Sequence, residues 1–212
     1  MMNYIIGDSW GLGEITGGNV THKGLEQFFK DADMNVKNLS QGGGTLQDIL
    51  QQIKSIPKNT SCKLFCFVTD TSRSKLKFWD TSWVKQDYID RHRDMLTFYF
   101  KLYEDFGFPI YLIGGLSDLD EDLVKDLKNV KIACPSMIKL FAPDADLYDI
   151  YLQDKLYNLP FMMNRDTLTW IMQQVDKWDT ISNHPRFHTD RCHPDRVAHK
   201  MLFDYLKEEN FI

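Results

Sequence analysis

No stretch of this 212-residue chain approaches the ~20 consecutive apolar residues that cross a bilayer, so a membrane span is not expected. Met1 to Ile6 are too few and too uncharged to form the apolar region of a signal peptide. A cytoplasmic protein is the expectation, although release by a route without a leader remains compatible with the sequence. Cysteine is scarce. Cys62, Cys66, Cys134 and Cys192 show neither zinc-site spacing nor a disulfide framework. Buried, reduced thiols are expected, with Cys62 and Cys66 on one face of a strand. Positive charge is also lacking: the formal net charge is −5 and no basic stripe is present. A nucleic-acid partner is therefore not expected. Internal repeats, low-complexity tracts and flexible linkers are absent, and nothing in the composition indicates an oligomeric state.

What is present is the composition of a globular chain, 43% hydrophobic and 26% charged. Its length suits a single domain over residues 1–212 with a sizeable core. Strand and helix patterns alternate. Strands are expected over Asn3 to Ile6, Met34 to Leu39, Leu64 to Val68, Pro109 to Ile113 and Val130 to Ala133. A glycine-rich loop is expected through Gly11, Gly13, Gly17 and Gly18. Helices are expected around Leu25 to Phe29, from Leu46 to Ile56 before Pro57, over Asp87 to Phe106, over Glu121 to Leu127, and over Pro194 to Lys207. This order predicts an α/β fold with a parallel sheet of about five strands covered on both faces, a three-layer α/β/α, flavodoxin-like arrangement. Thr71 to Gln86 (71–86) and Phe141 to Pro185 (141–185) read as elaborations, the second with helical patterns at Leu147–Leu156 and Asp166–Val175.

Two short motifs lie near the two ends. Gly7-Asp8-Ser9 follows the apolar run Tyr4-Ile5-Ile6, and Asp190-Arg191-Cys192-His193 places an acid and a base three residues apart. A serine becomes a useful nucleophile when a neighbouring base takes its proton and a third group orients that base. Asp190 lies about one helical turn from His193 and can reach its imidazole. Gly7-Asp8-Ser9-Trp10-Gly11 also matches the G-x-S-x-G elbow of α/β-hydrolases, but only one strand precedes Ser9. Ser9, Gly43 and Asp70 each fall just beyond the end of an expected strand, where sites of open α/β sheets lie.

These motifs resemble those of the SGNH (GDSL-type) hydrolases, whose serine sits in a Gly-Asp-Ser block after the first strand and whose Asp-x-x-His block lies near the C-terminus. The family's second block, a glycine after the second strand, resembles Asn38-Leu39-Ser40-Gln41-Gly42-Gly43-Gly44-Thr45. Gly43 is the best match, with Gly42 or Gly44 one residue away. The third block, Gly-x-Asn-Asp, meets Thr69-Asp70-Thr71 here, which has neither the glycine nor the asparagine. Asp70 falls on the final Asp, and Thr69 on the Asn. The resemblance implies an SGNH-like fold and a serine-dependent carboxylic ester hydrolase acting through an acyl-enzyme. It assigns Ser9, His193 and Asp190 as the catalytic triad. The oxyanion hole would comprise the N–H groups of Ser9 and Gly43 with the Thr69 hydroxyl. No metal or organic cofactor is implied. The substrate would be a small-molecule or glycan ester. Acetylesterase action on carbohydrate is favoured because no long apolar lid is evident. Trp10, Asp70 and Arg73 are candidate substrate contacts.

Each residue also has a plainer reading. Ser9 could cap the next helix and Asp190 the last one. Gly42 to Gly44 could cradle a phosphate, but the spacing fits neither nucleotide fingerprint. His184, His188, Cys192 and His193 could bind zinc, which would make a metal hydrolase. His22, His92 and His199 fall in helical patterns and read as surface or core residues. Trp10, Trp79, Trp83, Trp170 and Trp178 read as core anchors. The departure in the third block supports a second function class: a carbohydrate-binding or structural module with this fold and little or no activity.

Overall fold

A computed structural model describes residues 1–69, 85–115, 119–141, 143 and 193–212. Five strands form one parallel sheet: β1 (Met2–Gly7), β4 (Val36–Asn38), β5 (Cys62–Phe67), β6 (Ile110–Ile113) and β7 (Val130–Cys134), in the order β4-β1-β5-β6-β7. Counted within the sheet this is the flavodoxin-like 2-1-3-4-5 order. A short helix α1 (Ser9–Leu12) follows β1 directly, and a two-stranded hairpin follows it, β2 (Glu14–Thr16) and β3 (Asn19–His22). The longer helices are α2 (Leu25–Asp31), α3 (Leu46–Lys54), α4 (Lys85–Glu104) and α5 (Arg196–Glu208). Single 3-10 turns occur at Glu121–Leu123 and Ile138–Leu140.

Alternation along the strands explains the layers. Tyr4 and Ile6 of β1, Leu64 and Cys66 of β5, and Ile110 and Leu112 of β6 face one core with α3 and α4. That core includes Leu46, Ile49 and Ile53 from α3 and Leu96, Phe100 and Tyr103 from α4. Ile5, Phe65, Phe67 and Ile113 point the opposite way, onto Leu25 and Phe29 of α2 and Ala198, Leu202 and Leu206 of α5. Successive side chains on a strand take opposite faces, so a continuous apolar strand requires cover on both. The result is the three-layer α/β/α fold expected from the sequence. Cys62, Cys66 and Cys134 are buried and form no disulfide, and Cys62 and Cys66 share one face. Burial pushes the Cys66 thiol far up, which keeps it un-ionised and inert.

Three expectations change. The glycine-rich loop contains the hairpin β2–β3, with Gly17 and Gly18 at its turn in the left-handed region. His22 is therefore a strand residue, not a helical one. The pattern from Glu121 to Leu127 yields one 3-10 turn rather than a helix. The last helix is capped by Asp195, whose side chain accepts from the Ala198 N–H at 2.8 Å. Among the described residues no helix is long and apolar enough to cross a membrane. The segment 71–84 and residues 144–185 of the expected elaborations lie outside the described residues.

Phe65 is fully buried, with its ring centroid 5.2 Å from that of Phe29 and 5.5 Å from that of Tyr111. Phe65→Ala is expected to cost about 3–5 kcal/mol, because neither neighbouring ring can fill the cavity. Urea denaturation of the variant against wild type measures it.

Candidate active site

The chain leaves β1 at Gly7 with φ of 136°, a conformation that side chains rarely adopt. A Cβ there would lie 2.5 Å from the Phe67 carbonyl oxygen. Glycine is thus required both by the bend and by the closeness of β5. Asp8 then caps α1, accepting from the Trp10 N–H at 3.0 Å. Asp8, not Ser9, is the N-cap, and Ser9 is the first helical residue. This places Ser9 just beyond the carboxyl end of β1, an interior strand of the sheet, where open α/β sheets hold their sites.

His193 reaches Ser9 from the opposite end of the chain. Its Nε2 lies 2.8 Å from Ser9 Oγ, within the range for proton transfer to a general base. When Nε2 is unprotonated, the Ser9 hydroxyl donates to it. His193 is half-buried, whereas Ser9 as a whole residue is 5% exposed. The third member expected from the sequence, Asp190, lies outside the described residues, as do Asp70, Arg73, Cys192, His184, His188, Trp79, Trp83, Trp170 and Trp178. Among the described residues no group of three His, Cys, Asp or Glu side chains is placed to hold a metal ion.

The second block forms a tight turn packed on the serine loop. Gly44 donates its N–H to the Gln41 carbonyl at 3.2 Å, so it does not aim that group at a ligand. Gly43 has φ of 67° and nothing within 4 Å of where a Cβ would stand. Of the glycines left open by the sequence, Gly43 is the one whose left-handed backbone faces free space and whose N–H the turn does not use. Thr69 behaves differently from the expectation. Its hydroxyl is buried and lies 3.0 Å from Asp8 Oδ2 and 2.9 Å from the Gly44 carbonyl oxygen. Both neighbours are acceptors, so its single proton is taken within the protein and does not point to an oxyanion. Thr69 braces the serine turn against the glycine turn instead. Trp10 is 6% exposed and lies among Phe67, Ile113, Met137 and other core residues, with its ring 3.3 Å from where a Cβ on Gly115 would stand. It is an anchor of α1 rather than an open platform for substrate.

Two further polar residues lie near the Ser9–His193 contact. Glu14 of β2 takes the Arg196 guanidinium in a two-point ion pair, Nη2 to Oε1 at 2.8 Å and Nε to Oε2 at 3.0 Å. It also accepts the Arg196 backbone N–H at 2.8 Å. This ties the hairpin to the first turn of α5, three residues beyond His193. Arg196 above all, with Thr21, pulls the Glu14 carboxyl down to about 2. His199 of α5 is fully buried against Gly13 and Gly24. Burial first, with His22 and His193 nearby, pushes it down to about 3 and keeps it neutral. Neither Glu14 nor His199 stands out in the sequence, since each lies far along the chain from what it touches.

No family model and no curated protein sequence matches the chain. Among solved structures it is similar to the psychrotrophic esterase EstA from Pseudoalteromonas sp. at 11% identity, with 99% of this chain and 96% of that one covered and a TM-score of 0.46. It is similar to Axe2, an acetylxylan esterase from Geobacillus stearothermophilus, at 11% identity, 98% and 93% coverage and a TM-score of 0.44. A third similar structure is LAE5, described as an alpha/beta hydrolase enzyme from the metagenome of Lake Arreo, at 12% identity, 98% and 93% coverage and a TM-score of 0.42.

Among the described residues, Glu14 and His199 both make stability depend on acid pH. His199 has a folded value near 3 against an ordinary 6.5, so its contribution is whole above 6.5 and is lost as pH falls toward 3. Glu14 has a folded value near 2 against an ordinary 4.5, so its contribution is whole above 4.5 and is lost as pH falls through 2. Glu14→Gln is expected to lower stability at neutral pH and to flatten the decline below 4.5, leaving the decline above it in place. Urea midpoints across this range check it, and an unchanged lower limb would contradict the assignment. Thr69→Val tests the brace. It should lower stability by about 1–3 kcal/mol, because the buried oxygen that takes the Thr69 proton, on Asp8 or Gly44, loses that donor, and should lower the turnover of an ester substrate by less than ~100-fold. A rate loss of ~10²–10³ with unchanged stability would instead mark an oxyanion donor.

Proposed function

We propose that this protein is a serine-dependent carboxylic ester hydrolase of the SGNH type that works through an acyl-enzyme. The observation that carries the reading is the 2.8 Å approach of His193 Nε2 to Ser9 Oγ across 184 positions of sequence. Such a contact, at the carboxyl end of a parallel sheet and beside an unfilled left-handed glycine turn, is what acyl transfer requires.

In this reading Ser9 Oγ attacks the ester carbonyl carbon while His193 Nε2 takes the hydroxyl proton. The carbonyl π electrons move onto oxygen, and the N–H groups of Ser9 and Gly43 bind the resulting oxyanion. Collapse of this intermediate breaks the bond to the alcohol oxygen, which leaves with the proton from His193. A water molecule then repeats the sequence on the acyl-serine, releasing the acid and restoring Ser9. Asp190 would hold the His193 tautomer and stabilise the imidazolium. With Thr69 turned away, the proposed oxyanion hole rests on backbone donors. The acyl group we assign is acetyl, with an acetylated carbohydrate as the substrate class, because the sequence holds no long apolar run to line an acyl tunnel. No cofactor takes part in these steps.

One observation favours the second reading, a carbohydrate-binding or structural module: Ser9 and Trp10 are 5% and 6% exposed. A non-catalytic module would tolerate a covered serine, whereas an esterase must let a carbonyl reach Oγ.

Hydrolysis of p-nitrophenyl acetate separates the two. Wild type should turn over, and Ser9→Ala should lower kcat by at least ~10³. A fluorophosphonate probe should add to Ser9 in intact-mass and peptide spectra. Rates should fall from acetate through butyrate to octanoate esters. Equal rates in wild type and Ser9→Ala, with no adduct on Ser9, would leave the module.

A further inference from the structure

Gln52 sits in the last turn of α3 on its apolar face, beside Ile49 and Ile53, and is 7% exposed. A buried amide among aliphatic neighbours is costly unless its donor and acceptor are both satisfied. Here both are satisfied by one residue. Gln52 Oε1 accepts the Gly7 N–H at 2.7 Å, and Gln52 Nε2 donates to the Gly7 carbonyl at 3.0 Å. Because the Gly7 groups are one donor and one acceptor, this network also settles which way the amide points.

The location of this pair gives it consequence. β4 pairs with β1 only from Asn3 to Ile5, and ends at Asn38. Gly7 therefore continues past its neighbouring strand with two buried main-chain groups facing that side. Gln52 replaces the missing strand with a single side chain. The same carbonyl also accepts the Gln41 N–H at 3.2 Å, from the turn that carries Gly43. Gly44 in turn lies against Gly7 and Asp8, where a Cβ would stand 3.2 Å from the Gly7 oxygen and 3.3 Å from Asp8 Cα. So Gly7 joins three parts: the serine turn that it begins, the glycine turn, and α3.

We infer that Gln52 is a positioning residue that sets the distance between the Ser9 and Gly43 N–H groups, and so shapes the oxyanion hole without touching substrate. The assignment rests on the serine-hydrolase reading above. Gly43 enters α3 through the Thr45 cap, and Ser9 follows Gly7 by two residues; the amide links these two lines of chain at one point. A shift of ~1 Å between reacting groups is enough to cost ~10²-fold in rate. Only an amide, or a protonated carboxyl group, offers an acceptor and a donor side by side.

Two substitutions test the assignment with p-nitrophenyl acetate, read at the isosbestic wavelength so that pH can be varied. Gln52→Leu removes both bonds and should lower kcat by ~10–100-fold with KM within ~3-fold, normalised to the fraction folded by circular dichroism. Gln52→Glu reproduces the amide only when protonated, since its O–H can then donate to the Gly7 carbonyl. Ionised, it would set a carboxylate oxygen against that carbonyl. The ratio of Gln52→Glu to wild-type kcat should be near one at acid pH and fall as pH rises through the ionisation of the introduced carboxyl group. The Gln52→Glu arm stands on its own if the leucine variant does not fold. A merely structural role would change stability while leaving the kcat of the folded fraction and its pH ratio unaltered, and that result overturns the assignment. Wild type outpacing Ser9→Ala, with Gln52 variants equal to wild type, would overturn this inference alone. Wild type no faster than Ser9→Ala would overturn the hydrolase reading and the role of Gln52 with it.

Discussion

The hydrogen-bonded closure of Gly7 is the constraint on which the site depends. A parallel strand must end somewhere, and its last N–H and carbonyl must still find partners when they are buried. β1 ends in the middle of the sheet, flanked by β4 and β5, so its end is buried on every side. β5 supplies one flank through the Gly7–Phe67 register. The Gln52 amide and the Gln41 N–H supply the other. Because glycine alone fits under Phe67 at a φ of 136°, the chain can turn abruptly into α1 and present Ser9 at the carboxyl end of the strands.

Around that point the polar groups interlock. Asp8 caps α1 with one oxygen and takes the Thr69 hydroxyl with the other. Thr69 also reaches the Gly44 carbonyl, so the loops after β1, β4 and β5 are joined by a buried network that leaves little freedom in their spacing. His193 is held from the other side. Its neighbour Arg196 is anchored to Glu14, and the hairpin that carries Glu14 leaves α1 by way of Gly13. The hairpin thus carries a clear structural duty: it connects the serine helix to the helix that follows His193. A support of this kind helps keep Ser9 and His193 within hydrogen-bond reach.

The layer architecture was legible in the chain because it depends on periodicity. Tyr4-Ile5-Ile6 and Leu64 to Phe67 are apolar on both faces, and Leu46, Ile49, Leu50 and Ile53 recur at helical spacing; these patterns give strands covered twice and helices covered once. The hairpin was not legible. Asn19 to Thr21 are exposed and hold a single apolar residue, Val20, so β3 carries no hydrophobic alternation, and its identity comes from pairing with Glu14 to Thr16. The turn at Glu121–Leu123 illustrates the converse: a helical pattern of residues stops after one turn, and Leu123 and Val124 are buried without a continuing helix.

The sequence by itself determined the order of the five sheet strands and the four longer helices, the two-sided core, and the two motifs that bear Ser9 and His193, since each of these is encoded by residues close together in the chain. Tertiary structure alone decided that His193 Nε2 stands 2.8 Å from Ser9 Oγ, that Thr69 turns inward to Asp8 and Gly44, that Trp10 is buried in the core, that Gln52 bonds both main-chain groups of Gly7, and that Glu14 pairs with Arg196. These depend on contacts between residues separated by tens to nearly two hundred positions, as with the 184 between Ser9 and His193. A hydroxyl or an amide has the same local sequence whether its proton goes to a substrate or to a buried carbonyl. Its partner is selected only when the strands pack and every buried donor must be matched to an acceptor.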